Sequence, residues 1–231
     1  MEQLSARRRR ILTQILPAVV PSTYGDKRFG EIDSNWTPGC GYTTCGGLPA
    51  YVSNHIGQNP SHKKRGYGLG GLIGMRNAAL RFGAWVHHDP AATQASIARG
   101  EAPKLPRPGD YYLLCSGRGH NTGCNHIAPT SQKMAWRYKG ATIEHVGVIV
   151  EAKGELWRTA DAGQGYSKVT QQALYMFRRF NAATGRMTGE VGGKGRPMRR
   201  LCGWVNIDAF PFADGQATVG AGPQHVKWWK E

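Results

Sequence analysis

Apolar positions along the chain keep a helical period in its first half and a strand-like rhythm in its second. Leu4, Ile11, Leu12, Ile15 and Leu16 fall on one side of a helix spanning about residues 1–20. The basic run Arg7 to Arg10 ahead of them also suits the front of a cleaved export signal. Thr13 and Gln14 interrupt the apolar stretch, however, Pro17 follows, and no small-x-small site precedes Pro21. A packed N-terminal helix is therefore expected. Residues 21–44 hold no period and read as an irregular loop. From Cys45 the period returns, with Leu48, Tyr51, Val52, His55 and Ile56 on one stripe and Gly57 closing it. After a Gly- and Lys-rich loop at 57–71, further helices are expected over Leu72 to Val86 and Ala91 to Arg99, the second ending at Gly100.

The rhythm then changes. Pro106-Arg107-Pro108-Gly109-Asp110 is a strong turn signal and Tyr111 to Cys115 follows as a strand. Residues 116–140 form a polar excursion. Ile143 to Glu151 and Glu155 to Ala160, joined by Lys153-Gly154, predict a hairpin. Leu174 to Phe180 and Leu201 to Ile207 read as two more strands, separated by a Gly- and Arg-rich connection at 181–200. Helices followed by an antiparallel meander define an α+β class. The tail from Phe210 reads as loop, with Trp228-Trp229 as an aromatic anchor.

Composition narrows the classes. Gly 32 and Pro 13 in 231 residues demand many turns and exclude a long helical bundle. No apolar window is long enough for a transmembrane helix. Thirty Lys and Arg against 15 Asp and Glu leave a net charge of +15, which calls for an anionic partner or surface. The basic clusters, Arg7 to Arg10, Lys63 to Arg65, Arg178-Arg179 and Lys194 to Arg200, read as solvated faces and carry no dedicated nucleic-acid reading motif.

Five cysteines leave at least one thiol without an internal disulfide partner. Cys45 lies at a helix start, where the positive end of the dipole favours thiolate, and Gly46 and Gly47 allow close approach of a substrate to free N–H groups. The alternative is a buried structural cysteine beside a tight turn. His145 begins an apolar strand and could act as a base; a structural histidine is the plainer reading. Asp161 ends the next strand of the hairpin, where a carboxylate can reach the imidazole, or else it simply forms a turn. Trp36 and Tyr42, upstream of Cys45, either line a substrate cleft or pack on the core. Cys115, His120, Cys124 and His126 do not match a common zinc spacing, and a Cys115–Cys124 disulfide is an equal alternative; no metal or other cofactor is expected. Cys40 is a weaker rival nucleophile, since no helix follows it.

Cys45-Gly46-Gly47-Leu48, Pro108-Gly109-Asp110-Tyr111 and His145-Val146-Gly147-Val148, in that order, resemble the NlpC-type branch of papain-fold cysteine hydrolases. That branch includes type VI secretion amidase effectors and is related to the CHAP amidases. The resemblance spans roughly residues 10–210. It implies a papain-like α+β fold in which the Cys-bearing N-terminal helix packs on an antiparallel sheet. It also implies a Cys45–His145–Asp161 triad and cleavage of amide bonds in peptidoglycan stem peptides. Thr44 stands where the family has Asp, and the long Cys45-to-His145 interval implies insertions near 57–105 and 116–140 within one domain, 1–231. The expected protein is secreted or delivered into a target-cell periplasm, with an immunity protein as a partner. The alternatives are a papain-like protease acting on a protein in a target cytoplasm and a non-catalytic basic binding module.

Overall fold

The N-terminal period becomes a short helical rod in the computed structural model of the chain, which describes residues 3–20, 45, 47–57, 72–115, 143–162, 173–190 and 199–210. Ser5 caps α1 (Ala6–Arg10) by accepting the Arg8 N–H, and the rod passes through a π-helical turn (Ile11–Ile15) into α2 (Leu16–Val19). Pro17 explains the wide turn: it has no N–H for the Thr13 carbonyl, and its ring crowds that carbonyl. Among the described residues three further helices follow, α3 (Gly47–Ile56), α4 (Leu72–Arg81) and α5 (Pro90–Ala98). Asp89 caps α5 by accepting the N–H groups of Ala91 and Ala92, and Pro90 occupies its first turn. The helix expected to run to Val86 stops at Arg81, because Gly83 turns the chain. Aromatic and β-branched Trp85 and Val86 then open a strand, β1 (Trp85–His87).

The remaining strands are β2 (Tyr111–Cys115), β3 (Ile143–Lys153), β4 (Leu156–Asp161), β5 (Leu174–Asn181), β6 (Arg186–Glu190) and β7 (Arg199–Val205). All pairings are antiparallel, in the order β1-β7-β2-β3-β4-β5-β6, and β6 returns to pair with β7. This last contact corrects the expected architecture. The chain does not form the expected papain-like, NlpC-type α+β layout with a Cys-bearing N-terminal helix packed on an antiparallel sheet. Six strands close into an antiparallel barrel with few and short helices outside it. The strand that closes it, β6, lies inside the stretch 181–200, whose glycines and arginines hide a strand pattern from any reading of periodicity. β7 serves three neighbours: Arg199 and Arg200 pair with β6, Gly203 to Val205 pair with β1, and its other edge pairs with β2.

Strand alternation sorts side chains between two cores. Tyr112, Leu114, Ile149, Trp157, Phe180, Met187, Leu201 and Trp204 fill the barrel. Tyr111, Leu113, Val146, Val148, Ala160 and Val205 face outward, under Ile11, Leu16, Leu48, Val52 and Met75 of the helices. β2 is buried on both faces, which is why its sequence reads as an unbroken apolar run.

The rod is fixed by a residue that its sequence presents as part of a solvated basic cluster. Arg8 is wholly buried. Its guanidinium donates to Asp110 at 2.7 Å, Asp208 at 2.6 Å, the Pro108 carbonyl at 2.6 Å and Asn206 at 3.0 Å. Asp110 also accepts the backbone N–H groups of Arg107 and Ile207. Gly109 is needed here for two reasons: its φ of +94° suits glycine, and a Cβ would meet Arg8 Cγ at 3.3 Å. Arg8→Ala leaves the Asp110 carboxylate buried without its cation and is expected to cost about 3–5 kcal/mol in urea denaturation. A cost under about 1 kcal/mol, the level of an exposed pair, would show that this junction does not hold the fold.

His88, just beyond β1, is buried with Nε2 lacking a hydrogen-bond partner among the described residues. Its ring meets Phe180 edge-on at 5.5 Å and abuts Gly185 in the β5–β6 turn. Burial, aided by His87 and opposed by Asp89, pushes its imidazole down to about 4. Between pH 6.5 and that value the unfolded chain takes up a proton that the folded chain refuses. Stability should therefore fall by about 3 kcal/mol as pH drops through this window. His88→Leu should remove that share of the slope in denaturation series at pH 7, 5.5 and 4; an unchanged slope would contradict it.

Candidate functional site

The β3–β4 register sets Gly147 opposite Asp161, and the β2–β3 register sets Tyr112 opposite Gly147 and Leu114 opposite His145. Tyr112 and Leu114 belong to the barrel interior, so His145 and Asp161 face inward as well. They meet near the barrel end formed by the start of β3 and the end of β4. Where a Gly147 side chain would stand, Asp161 Oδ1 lies 2.5 Å and Tyr112 Cε1 2.7 Å from the Cβ position. The glycine makes room for the cluster.

His145 Nε2 lies 2.5 Å from Asp161 Oδ1. The Tyr112 hydroxyl donates to the same oxygen. Thr159 Oγ1 donates to Oδ2 at 2.5 Å, and Arg178 Nη2 stands 3.2 Å from Oδ1. Arg178 Nε donates to Thr159 Oγ1 at 3.3 Å, and its guanidinium carbon sits 5.8 Å from the Tyr112 ring centre. All five side chains are buried.

Burial alone would raise the Asp161 carboxyl, but the Arg178 charge and the His145 and Thr159 hydrogen bonds outweigh it and hold the group well below the usual carboxylate range. Burial pushes the His145 imidazole down; Asp161 opposes this, while Arg178 and Arg199 add to it. Asp161 is thus ionised and His145 neutral at neutral pH. A carboxylate can only accept, so Nε2 carries the imidazole proton and Nδ1 keeps the basic lone pair.

Cys45 remains a thiol, half-buried against the outer core and two residues before α3. The first turn of α3 contains no acidic residue to offset the dipole. Leu48, Val52 and Ile56 bury one face of this helix. The buried Ser53 hydroxyl lies 3.0 Å from Tyr111 Oη, tying α3 to β2. α3 also packs on the outer side of β3, the strand whose inner side carries His145. Gly47 opens the helix, while Trp36, Tyr42 and Gly46 lie outside the described residues. Cys115 and Cys202 are each held in a disulfide, so Cys115 is no metal thiolate; Cys40, His120, Cys124 and His126 fall outside the description.

Three members of the cluster escaped sequence reasoning. Arg178 and Arg179 read in the sequence as a solvated pair, yet Arg178 is 2% exposed. The signal was alternation: Met176, Arg178 and Phe180 take the inward positions of β5, and an arginine at such a position needs an acid inside. Thr159 stands two residues before Asp161 on the same face. Tyr112 gave no signal beyond its apolar strand.

No protein-family model, curated protein or solved structure matches the chain, so the NlpC-type resemblance rests on the residues quoted above alone. The geometry itself is tested at Gly147. Gly147→Ala forces a methyl group into the Asp161 carboxylate and should destabilise the fold by about 1–3 kcal/mol, as overpacking does. It should also break the His145–Asp161 contact, seen as a changed imidazole resonance in NMR. An unperturbed resonance would contradict this packing.

Proposed function

We propose that the chain is a cysteine hydrolase that cleaves amide bonds in peptidoglycan stem peptides. The observation that carries this reading is the buried His145–Asp161 pair, which leaves Nδ1 as the basic nitrogen near the start of β3, while the helix after Cys45 covers the outer face of that same strand. Asp161 fixes the tautomer and orientation of the imidazole. The reading requires His145 Nδ1 to reach Cys45 around the start of β3 and take its proton, after which the thiolate attacks the amide carbonyl carbon. The resulting oxyanion is met by the N–H of Gly47 at the start of α3, where the helix dipole favours negative charge, and Gly46 is read from the sequence as its companion. The imidazolium then protonates the departing amine, leaving a thioester. Water, deprotonated by His145, releases the acyl group and restores the thiol.

The substrate class is supported by the ordered motifs around Cys45, Gly109 and His145. A net charge of +15 also suits an anionic wall polymer. Delivery into a periplasm, where an immunity protein would restrain the enzyme, follows from the same reading.

Purified protein incubated with muropeptides should release new amines, and Cys45→Ala should abolish the release, a loss on the order of a thousandfold or more. Raised salt should slow action on intact wall more than on soluble muropeptides. Cys45-independent release, or none from wild type, would sink the hydrolase reading for this substrate. Cys45-dependent cleavage of a cytosolic protein instead would reassign the substrate.

A further inference from the structure

Behind the histidine and its acid stand groups that hydrolysis by Cys45, His145 and Asp161 does not itself require. Tyr112 and His145 share one oxygen of Asp161, while Thr159 takes the other. Arg178 faces the carboxylate and also donates to the Thr159 hydroxyl, turning that hydroxyl's proton toward Oδ2. A carboxylate that shares its charge among four donors gives less of it to any one. An acid bonded to His145 alone would pull the imidazole toward the imidazolium form.

We propose that Tyr112 and Arg178 are positioning residues which draw the Asp161 charge away from His145, keeping the imidazole a neutral base with its Nε2 proton locked in place. The inference rests on the reading of His145 as the general base. Among the described residues, the charged and titratable groups that act on His145 are Asp161, Arg178 and Arg199, with Tyr112 acting through Asp161. Of these, Asp161 favours the protonated form and the others oppose it. The arrangement lets the site keep a fully ionised acid to orient the imidazole without trapping the base in its protonated state.

The test is an NMR titration of the His145 ring in the full-length protein, assigned against His145→Gln. Tyr112→Phe removes one donor without changing ring volume. It should raise the His145 midpoint by about one pH unit, a tenfold gain in proton affinity. Arg178→Lys keeps the charge and should move the midpoint less than Arg178→Met. Thr159→Ser, which retains the hydroxyl, should leave the wild-type midpoint in place. The acid limb of kcat/KM on muropeptides should follow the midpoint in each variant.

A midpoint unmoved in folded Tyr112→Phe and Arg178→Met would overturn the proposal and leave both residues a purely structural role. If Arg178→Met does not fold, Tyr112→Phe and Thr159→Val decide, since neither removes a charge. The titration needs no substrate. A shifted midpoint in a protein that leaves every amide intact would uphold the coupling and sink the hydrolase reading; an unmoved midpoint in an active enzyme would sink the coupling alone.

Discussion

An ionised carboxylate inside a closed barrel is the constraint around which the molecule is arranged. Asp161 has no access to water, so every lone pair must be met by protein, and the cost of burying its charge is met by Arg178 within 3.2 Å. That demand reaches four strands. β2 supplies Tyr112, β3 supplies His145 and the empty space at Gly147, β4 supplies Thr159, and β5 supplies Arg178. The contacts hold only if the registers of these strands are locked, because a shift by one residue would turn each side chain to the outer face. The polar cluster and the barrel thus specify one another. The outer helices complete the arrangement by covering the other face of the same strands.

Much of this organisation is legible in the chain, where local chemistry and final structure agree. The helix after Cys45 keeps its stripe of Leu48, Val52 and Ile56. The turn at Pro108-Gly109-Asp110 opens β2, and the β3–β4 hairpin falls where its turn residues place it. The hairpin also made the meeting of His145 and Asp161 legible, since an antiparallel return brings the end of one strand to the start of its neighbour. Closure of the barrel was not legible. It depends on β6, whose run Arg-Met-Thr-Gly-Glu offers one inward apolar residue, Met187, and gains strand structure only from partners on both sides.

The basic residues show the same limit from another direction. Arg8 and Arg178 each sit in a run that looks solvated, yet both are interior, because each has an acid that only the folded chain brings near. A charge count treats all arginines alike; tertiary structure divides them. Two of the positive charges are neutralised inside the protein by Asp110 and Asp161, acids that are thereby withdrawn from the surface as well. Burial of these pairs accordingly leaves the surplus on the surface unchanged.

The Arg8 junction has a consequence for the order in which the molecule can be completed. Arg8 is synthesised 200 residues ahead of its partner Asp208. A nascent chain therefore carries this guanidinium to the ribosome surface long before its acceptors exist. The N-terminal rod can form turns of helix in that interval, but it cannot dock, since docking earlier would bury a cation short of the Asn206 and Asp208 oxygens it requires. Final assembly of the barrel and its helical cover waits for β7 and the turn beyond it. The rod is made well before β7 and yet is among the last segments to find its place.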